Sequence, residues 1–248
     1  MDGTRMGILI DRFDLDGVDI ELDSESLWPA LERGGFSRSD AVVPRVDELL
    51  PLGASLLRPR AMGRLYDVSS AAEPEREALP DPIREAEFLC FGLCTAGRAI
   101  DDRARALCEE GELIDSMILD AAAMTGLSLI GDRLGRTVFG WAEERDLSAS
   151  RAFSPGAGAS HWGLENQRFL FDHLPDRPLG VELTDRFLMK PSKSVSFVIG
   201  IGERIKQVKN PFSCEGCDRF DCAYRHIPES EMVYPETGLT GSSQEERT

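Results

Sequence analysis

Basic residues are scarce in this chain: 28 Lys and Arg stand against 44 Asp and Glu, a formal charge of −16 over 248 residues. That balance argues against DNA, RNA or an anionic membrane as a partner of the whole molecule, since each repels a surface of its own sign. Long hydrophobic runs are missing too. No segment reaches the roughly 18 consecutive apolar residues of a transmembrane helix, and Met1 to Arg12 lacks the basic start and apolar stretch of a signal peptide. The expected location is therefore cytoplasmic, and in a reducing compartment disulfides are not the default use of cysteine. No phosphate loop is present, because no Gly-Lys-Ser/Thr follows a glycine run, and no internal repeat is visible. What is there has a globular balance: 42% hydrophobic and 29% charged residues exclude a wholly disordered, collagenous or fibrous chain. A chain of this length buries a core without covalent staples.

Near the N-terminus, Val18, Ile20 and Leu22 alternate with Asp19, Glu21 and Asp23, the period of a half-buried strand with an acidic outer face. An EF-hand is excluded here, since its loop needs glycine at the sixth place and Gly17 stands at the fourth. Ser39 and Asp40 precede a periodic run through Leu50 that reads as a short helix with its register blurred by Pro44 and Pro51. Leu56 to Val68 looks extended, Ala71 to Pro82 reads as a loop, and Glu87 to Cys94 reads as a strand with Phe88, Cys90, Gly92 and Cys94 on one face. Four residues apart on a strand, Cys90 and Cys94 are separated by roughly 13 Å, too far to chelate one metal. With Cys108 they are expected in or near the core. Ile100 to Glu144 is the most helical region; a first helix ends near Gly111, and Gly126, Gly131 and Gly140 mark expected breaks in the second. Leu164 to Leu174 reads as an amphipathic helix, and Val181 to Leu183, Phe187 to Lys190 and Val195 to Ile201 as strands. The last of these has an apolar face and a small one, Ser194, Ser196, Val198 and Gly200, which admits a ligand or another backbone at close range.

Two stretches carry chemistry. The loop Phe153-Ser154-Pro155-Gly156-Ala157-Gly158 frees the backbone for positive φ and close approach to a ligand, although such loops are also ordinary turns. Further on, Cys214-x2-Cys217-x4-Cys222-x3-His226 places thiolates on a tight turn around Gly216. It suits a Cys3His zinc site, or three ligands of an iron–sulfur cluster whose fourth comes from elsewhere. His161 and His173 have no obvious acid partner in sequence, and a lone histidine is more often structural than catalytic.

Taken in order, Phe153 to Gly158, Trp162-Gly-Leu-Glu-Asn-Gln167, Gly180-Val-Glu-Leu-Thr184 and Met189-Lys-Pro-Ser-Lys-Ser-Val-Ser196 resemble the activation (reactivation) domain of cobalamin-dependent methionine synthase, in its free-standing form. More loosely the resemblance runs back through Thr95-Ala-Gly97 and Cys108 to Asp120, covering about Asp40 to Gly202. It implies an α+β fold with a bent, mainly antiparallel sheet and flanking helices that binds S-adenosylmethionine. It also implies a corrinoid carried by a partner, a methionine synthase subunit or related corrinoid methyltransferase, with a flavodoxin- or ferredoxin-type electron donor. Within that family the domain supports reductive remethylation of cob(II)alamin, so this chain reads as an accessory rather than a complete enzyme. The implied ligand loop is Arg151, Phe153, Ser154, Pro155, Gly156, Ala157 and Gly158.

Two positions depart from the family pattern: Ala152 and Ala157 stand where its loop has arginine and tyrosine, and Arg151 lies one residue early. A one-residue shift in an extended segment turns a side chain to the opposite face. The alternative reading is therefore a metal or iron–sulfur redox protein on the same scaffold that has lost the adenosyl ligand. The Asp-x-His-x-x-Gly motif that supplies a lower cobalt ligand in many corrinoid proteins is absent, so a corrinoid would belong to another chain. The expected organisation is an N-terminal acidic strand and short helix (1–39), the activation-domain-like region (40–205), a cysteine-rich metal-binding extension (206–228) and a disordered tail (229–248).

Overall fold

The structure is a computed structural model that describes residues 6–157 and 162–212. The long strands carry apolar residues on their alternating positions, and β7 adds the β-branched Val195, Val198, Ile199 and Ile201 that favour a pleated sheet. The strands are β1 (Ile8–Leu15), β2 (Arg60–Asp67), β3 (Phe88–Thr95), β4 (Ser148–Ala149) and β7 (Ser194–Gly202), with β5 (Glu182–Leu183) and β6 (Met189–Lys190) forming a separate two-stranded hairpin. The main sheet has the order β1-β2-β3-β7-β4, and every neighbouring pair is antiparallel. The helices are α1 (Ser24–Arg33), α2 (Val43–Leu56), α3 (Glu73–Glu77), α4 (Arg98–Glu110), α5 (Leu113–Glu143) and α6 (Gln167–Asp172). The result is an α+β fold, an antiparallel sheet flanked by helices.

Side-chain alternation gives the sheet two different faces. On one, Ala61, Leu65, Cys90, Cys94, Phe197, Ile199 and Ile201 meet buried residues of α1, α2, α4 and α5. On the other, Met62, Tyr66, Leu89, Phe91 and Val198 meet Phe153, Trp162, Leu170, Leu174 and Val181. Each large side chain taken fully out of water contributes about 1.5–3 kcal/mol, so the fold rests on these two layers. The predicted strand face of Cys90 and Cys94 is correct and both are fully buried, whereas Cys108 is exposed near the end of α4 instead of in the core.

The N-terminal strand lies earlier than its alternation predicts. Residues 18–22 form no ladder; Val18, Ile20 and Leu22 pack against the helical layer while Asp19, Glu21 and Asp23 remain exposed. The paired strand is β1, in which a bulge between Leu9 and Asp11 shifts the register. A bulge inserts one residue and turns the following side chains over. Thus Leu9 lies opposite Tyr66 on one face, and Phe13 lies opposite Gly63 on the other. That switch hides the strand's period in the sequence. Asp23 then opens α1, its Oδ1 accepting from Ser26 N at 2.7 Å, a side-chain cap on an otherwise unbonded amide.

The expected breaks in the long helix do not occur: α5 runs unbroken for 31 residues. By length and composition it passes for a membrane span, yet half of its most apolar stretch is buried as the helix on which α1, α2 and α4 pack. Two of its glycines serve close contact instead, while Gly140 faces open space. A Cβ at Gly126 would lie 2.6 Å from Leu57 Cδ2, and one at Gly135 would lie 2.2 Å from Pro211 Cγ. The roughly 1 kcal/mol helix cost of each of those two glycines is smaller than the packing it permits. The region Ala71 to Pro82, expected as loop, contains α3, held by Ala72 N donating to Glu75 Oε2 at 3.0 Å.

Candidate functional site

The apolar face opposite the long helix changes character at one end. Beyond Phe91 and Leu93 it presents Thr95, Ser194 and Ser196, all buried, with Gln167 from the start of α6 above them. Buried hydroxyls need partners, and here they find one another. Thr95 and Ser194 hydroxyls are 2.9 Å apart, Ser194 Oγ reaches the Pro191 carbonyl at 2.9 Å, and Gly97 N donates to Thr95 Oγ1 at 3.2 Å. Ser196 Oγ donates to Gln167 Oε1 at 2.5 Å.

The segment following β6 is tied down from two helices. Asp101 of α4 accepts from Ser192 N at 2.9 Å and from Ser192 Oγ at 2.5 Å, while Lys193 Nζ lies 2.6 Å from Asp120 Oδ1 of α5. Ala96 N also donates to the Lys193 carbonyl at 2.9 Å. These ties fix the end of the β5–β6 hairpin against the helices, and a cleft of ≈ 620 Å³ lies between the hairpin and α4. That is within the range of small-ligand sites. Gln167 and Leu164 close one side, Thr184, Phe187 and Met189 line the hairpin side, and Ser116 and Asp120 come from α5. Asp102 is paired with Arg105 and Asp120 with Lys193. Arg98 and Lys190, which also line the cleft, make no ion pair with any described residue. Although the chain is strongly acidic, the cleft offers two cations uncommitted among the described residues, one from α4 and one from the hairpin.

The described part of the glycine loop predicted from the sequence, 153–157, stands beside this cleft and is not among its lining residues. Phe153 is buried and forms an isolated antiparallel bridge with Val198, its N donating to the Val198 carbonyl at 2.9 Å. The Arg151 guanidinium lies over the Phe153 ring, 4.4 Å from its centroid. Pro155 is buried, Ser154 is half-buried, and Gly156 adopts φ 76° while its N donates to the Trp162 carbonyl at 2.8 Å. A Cβ at Gly156 would lie 3.0 Å from Leu164 Cδ1, so the turn needs glycine and backs directly on a residue of the cleft. Ala157 N donates to the Ser154 carbonyl at 3.1 Å. Gly158 and His161 lie outside the described residues, as do Cys214, Cys217, Cys222 and His226. Among the described residues no group of three or more His, Cys, Asp or Glu side chains is placed to hold a metal.

His173 is a core residue. The Met6 N donates to its Nε2 at 2.8 Å, so Nδ1 carries the proton and donates to the Phe169 carbonyl at 2.8 Å. Its ring stacks on Phe91 at 4.1 Å, and Tyr66 Oη donates to its carbonyl at 2.8 Å. Burial pushes the Cys90 thiol up to about 12, against a smaller opposing effect of Arg64, and burial raises Cys94 too. Both stay protonated, and a thiol rather than a thiolate is a poor ligand and nucleophile. Sequence reasoning did not single out Arg98, Lys190 or the Gln167–Ser196 pair. Gln167, Lys190 and Ser196 fall within the motifs that carry the family resemblance, and Ser196 also lies on the small face of β7, whereas nothing in the sequence pointed to Arg98. The two ends of that face differ: Gly200 admits Ile83, whose Cγ2 would lie 2.6 Å from an added Cβ, whereas Ser196 meets Gln167 at the cleft.

No family model matches this chain, and no curated protein matches it. Among solved structures it is similar to the MetH reactivation domain bound to AdoHcy, with a TM-score of 0.55 and 11% identity, over 85% of this chain and 84% of that one. At that identity the likeness shows a shared fold. It is the fold implied by the motif resemblance between Asp40 and Gly202, an antiparallel sheet flanked by helices.

Proposed function

We propose that this chain is an accessory protein of a corrinoid-dependent methyltransferase system, and that its cleft between α4 and the β5–β6 hairpin takes an S-adenosyl amino acid. The observation that carries the reading is the fold shared with the MetH reactivation domain bound to AdoHcy over 85% of the chain. The chemistry of the cleft supports it. A molecule such as S-adenosylmethionine carries a carboxylate, which suits Arg98 and Lys190, unpaired among the described residues, and beside it an α-ammonium and a sulfonium, which suit the carboxylates of Asp101 and Asp120. Apolar Leu164, Phe187 and Met189 supply the surface against which a nucleoside packs. The neighbouring loop, Arg151 to Gly158, is proposed as the rim on the same side, reached through Leu164.

On this reading the chain performs no covalent chemistry of its own. A corrinoid held by the partner supplies the methyl-transfer chemistry, and this chain contributes binding, orientation and exclusion of water. The ties of Ser192 to Asp101 and of Lys193 to Asp120 keep the hairpin placed before ligand arrives, which lowers the ordering cost of binding. Titration calorimetry of the full chain with S-adenosylmethionine and with S-adenosylhomocysteine tests the reading. Micromolar binding of either is expected, and neither binding is the outcome that ends it.

The cysteine spacing favours a second component. We infer that Cys214, Cys217, Cys222 and His226 hold a metal, either as a zinc site or as three cysteine ligands of an iron–sulfur cluster. Anaerobic purification followed by metal analysis separates them: a brown protein with stoichiometric iron, or a colourless one with stoichiometric zinc. Protein free of both metals removes this component and leaves the cleft untouched.

A further inference from the structure

The geometry points to Gln167, oriented by Ser196, as a residue that sets which ligands the cleft accepts. It rests on the reading of the cleft as a ligand site. Gln167 is 4% exposed, buried among the walls of the cleft it lines. Its Oε1 is occupied, because Ser196 Oγ donates to it at 2.5 Å, and no other described residue bonds its carboxamide. A carboxamide has two N–H donors and one carbonyl acceptor. The carbonyl oxygen keeps a second lone pair but is turned toward Ser196, so the N–H donors are the groups left to meet a ligand, and the inner wall favours a ligand that offers a hydrogen-bond acceptor there.

Three further features make this a built arrangement. Ser196 lies on β7, paired with Leu93 in an unbroken antiparallel ladder with β3, so the hydroxyl that orients the amide is carried by a hydrogen-bonded strand. Gln167 begins α6 immediately after the turn at Leu164–Asn166, which fixes its Cα against β7. Around it, Leu164 and Met189 are apolar and offer no substitute partner. A buried donor left without an acceptor is costly, and that cost is the source of discrimination: sites built to hydrogen-bond a group reject ligands lacking it far more strongly than apolar pockets do.

The test compares the full chain with Gln167→Met, Gln167→Glu and Ser196→Ala, each checked for folding by thermal melting, in calorimetric titrations with S-adenosylmethionine and S-adenosylhomocysteine. Gln167→Met keeps the length and removes both donors, and it should weaken binding about 3- to 10-fold, as loss of one hydrogen bond does. Gln167→Glu replaces the donors with a carboxylate and should weaken binding roughly 30-fold or more at neutral pH. That loss should shrink as pH falls, because the protonated carboxyl regains an O–H donor. A merely structural role for Gln167 would not produce that pH-dependent recovery. Ser196→Ala frees the amide to turn over and should fall between wild type and Gln167→Met. If Gln167→Met melts early, Gln167→Glu, closest in shape to glutamine, carries the comparison. Unchanged affinity in a folded Gln167 variant overturns this inference and leaves the cleft reading standing. No binding by wild type overturns both.

Discussion

Asp115 shows how a single residue joins two elements. Arg45 Nε of α2 donates to its Oδ1 at 2.7 Å, with a second contact from Nη2 to Oδ2. The Asp115 side chain is only 10% exposed, so the carboxylate is held away from water and needs that partner. The Arg45 hydrogen bonds hold its carboxyl below the usual carboxylate range, against the opposing effect of burial. A depressed native pKa means that the stabilisation is present above the unfolded-state value of about 3.9 and is lost as pH falls through the native value. Wild type should therefore exceed Asp115→Asn in thermal stability at neutral pH, and the gap should close on acidification below about pH 4. A gap independent of pH would show that the loss is one of packing. The cysteines give a second test at this scale. Brief alkylation of native protein followed by peptide mapping should modify exposed Cys108 and spare Cys90 and Cys94, which are fully buried and whose thiols burial keeps protonated.

At the scale of elements, α5 is where sequence rules and packing compete. Propensity alone predicts interruption at Gly126, Gly131 and Gly140, but packing on α1, α2, α4 and the sheet carries the helix through all three. Leu57 approaches the helix where Gly126 has no side chain, and Pro211 does the same at Gly135. Gly126→Val should consequently destabilise the protein by about 1–3 kcal/mol, as overpacking does, in spite of the better helix propensity of valine. An increase in the denaturant midpoint would show that Leu57 yields without cost. The strand β1 makes the complementary point. Its bulge interrupts a two-residue period, so the regular alternation of residues 18–22 looked more strand-like than the segment that pairs. Alternation reports which side chains face the core, and hydrogen bonding depends on whether a neighbouring strand is free to receive them.

Over the whole molecule, a formal charge of −16 coexists with a cleft that keeps Arg98 and Lys190 unpaired among the described residues. An acidic body disfavours anionic polymers, and a local pair of cations still attracts a small carboxylate, because screening limits the reach of distant charges to about 8–10 Å at ordinary ionic strength. Exchanging Arg98 for glutamate should accordingly reduce the affinity for S-adenosylmethionine without lowering the melting temperature, since Arg98 is exposed and makes no described ion pair. Equal affinity in calorimetry would remove Arg98 from the site. Mixing the protein with a corrinoid-loaded methionine synthase module is the matching test for a partner. A change in the visible spectrum of the corrinoid is expected, and a spectrum equal to the sum of the two components would count against association.

The sequence by itself determined the helical region from Ile100 to Glu144, the central strands β2, β3 and β7, the burial of Cys90 and Cys94, and the ordered motifs that resemble a reactivation domain. Each follows from local periodicity or from residues close together in the chain. The tertiary structure alone decided the rest. The cleft draws on α4, α5, α6 and the β5–β6 hairpin, elements up to about ninety residues apart, and is fixed at one end by Asp101 reaching Ser192 across a separation of 91 positions. Gln167 and Ser196 are polar residues of ordinary appearance, 29 positions apart, and only their meeting at 2.5 Å turns one carboxamide into a set of donors facing the cleft. Pattern along a chain reports which face of an element is buried; which side chains meet across that face depends on the order in which the strands assemble.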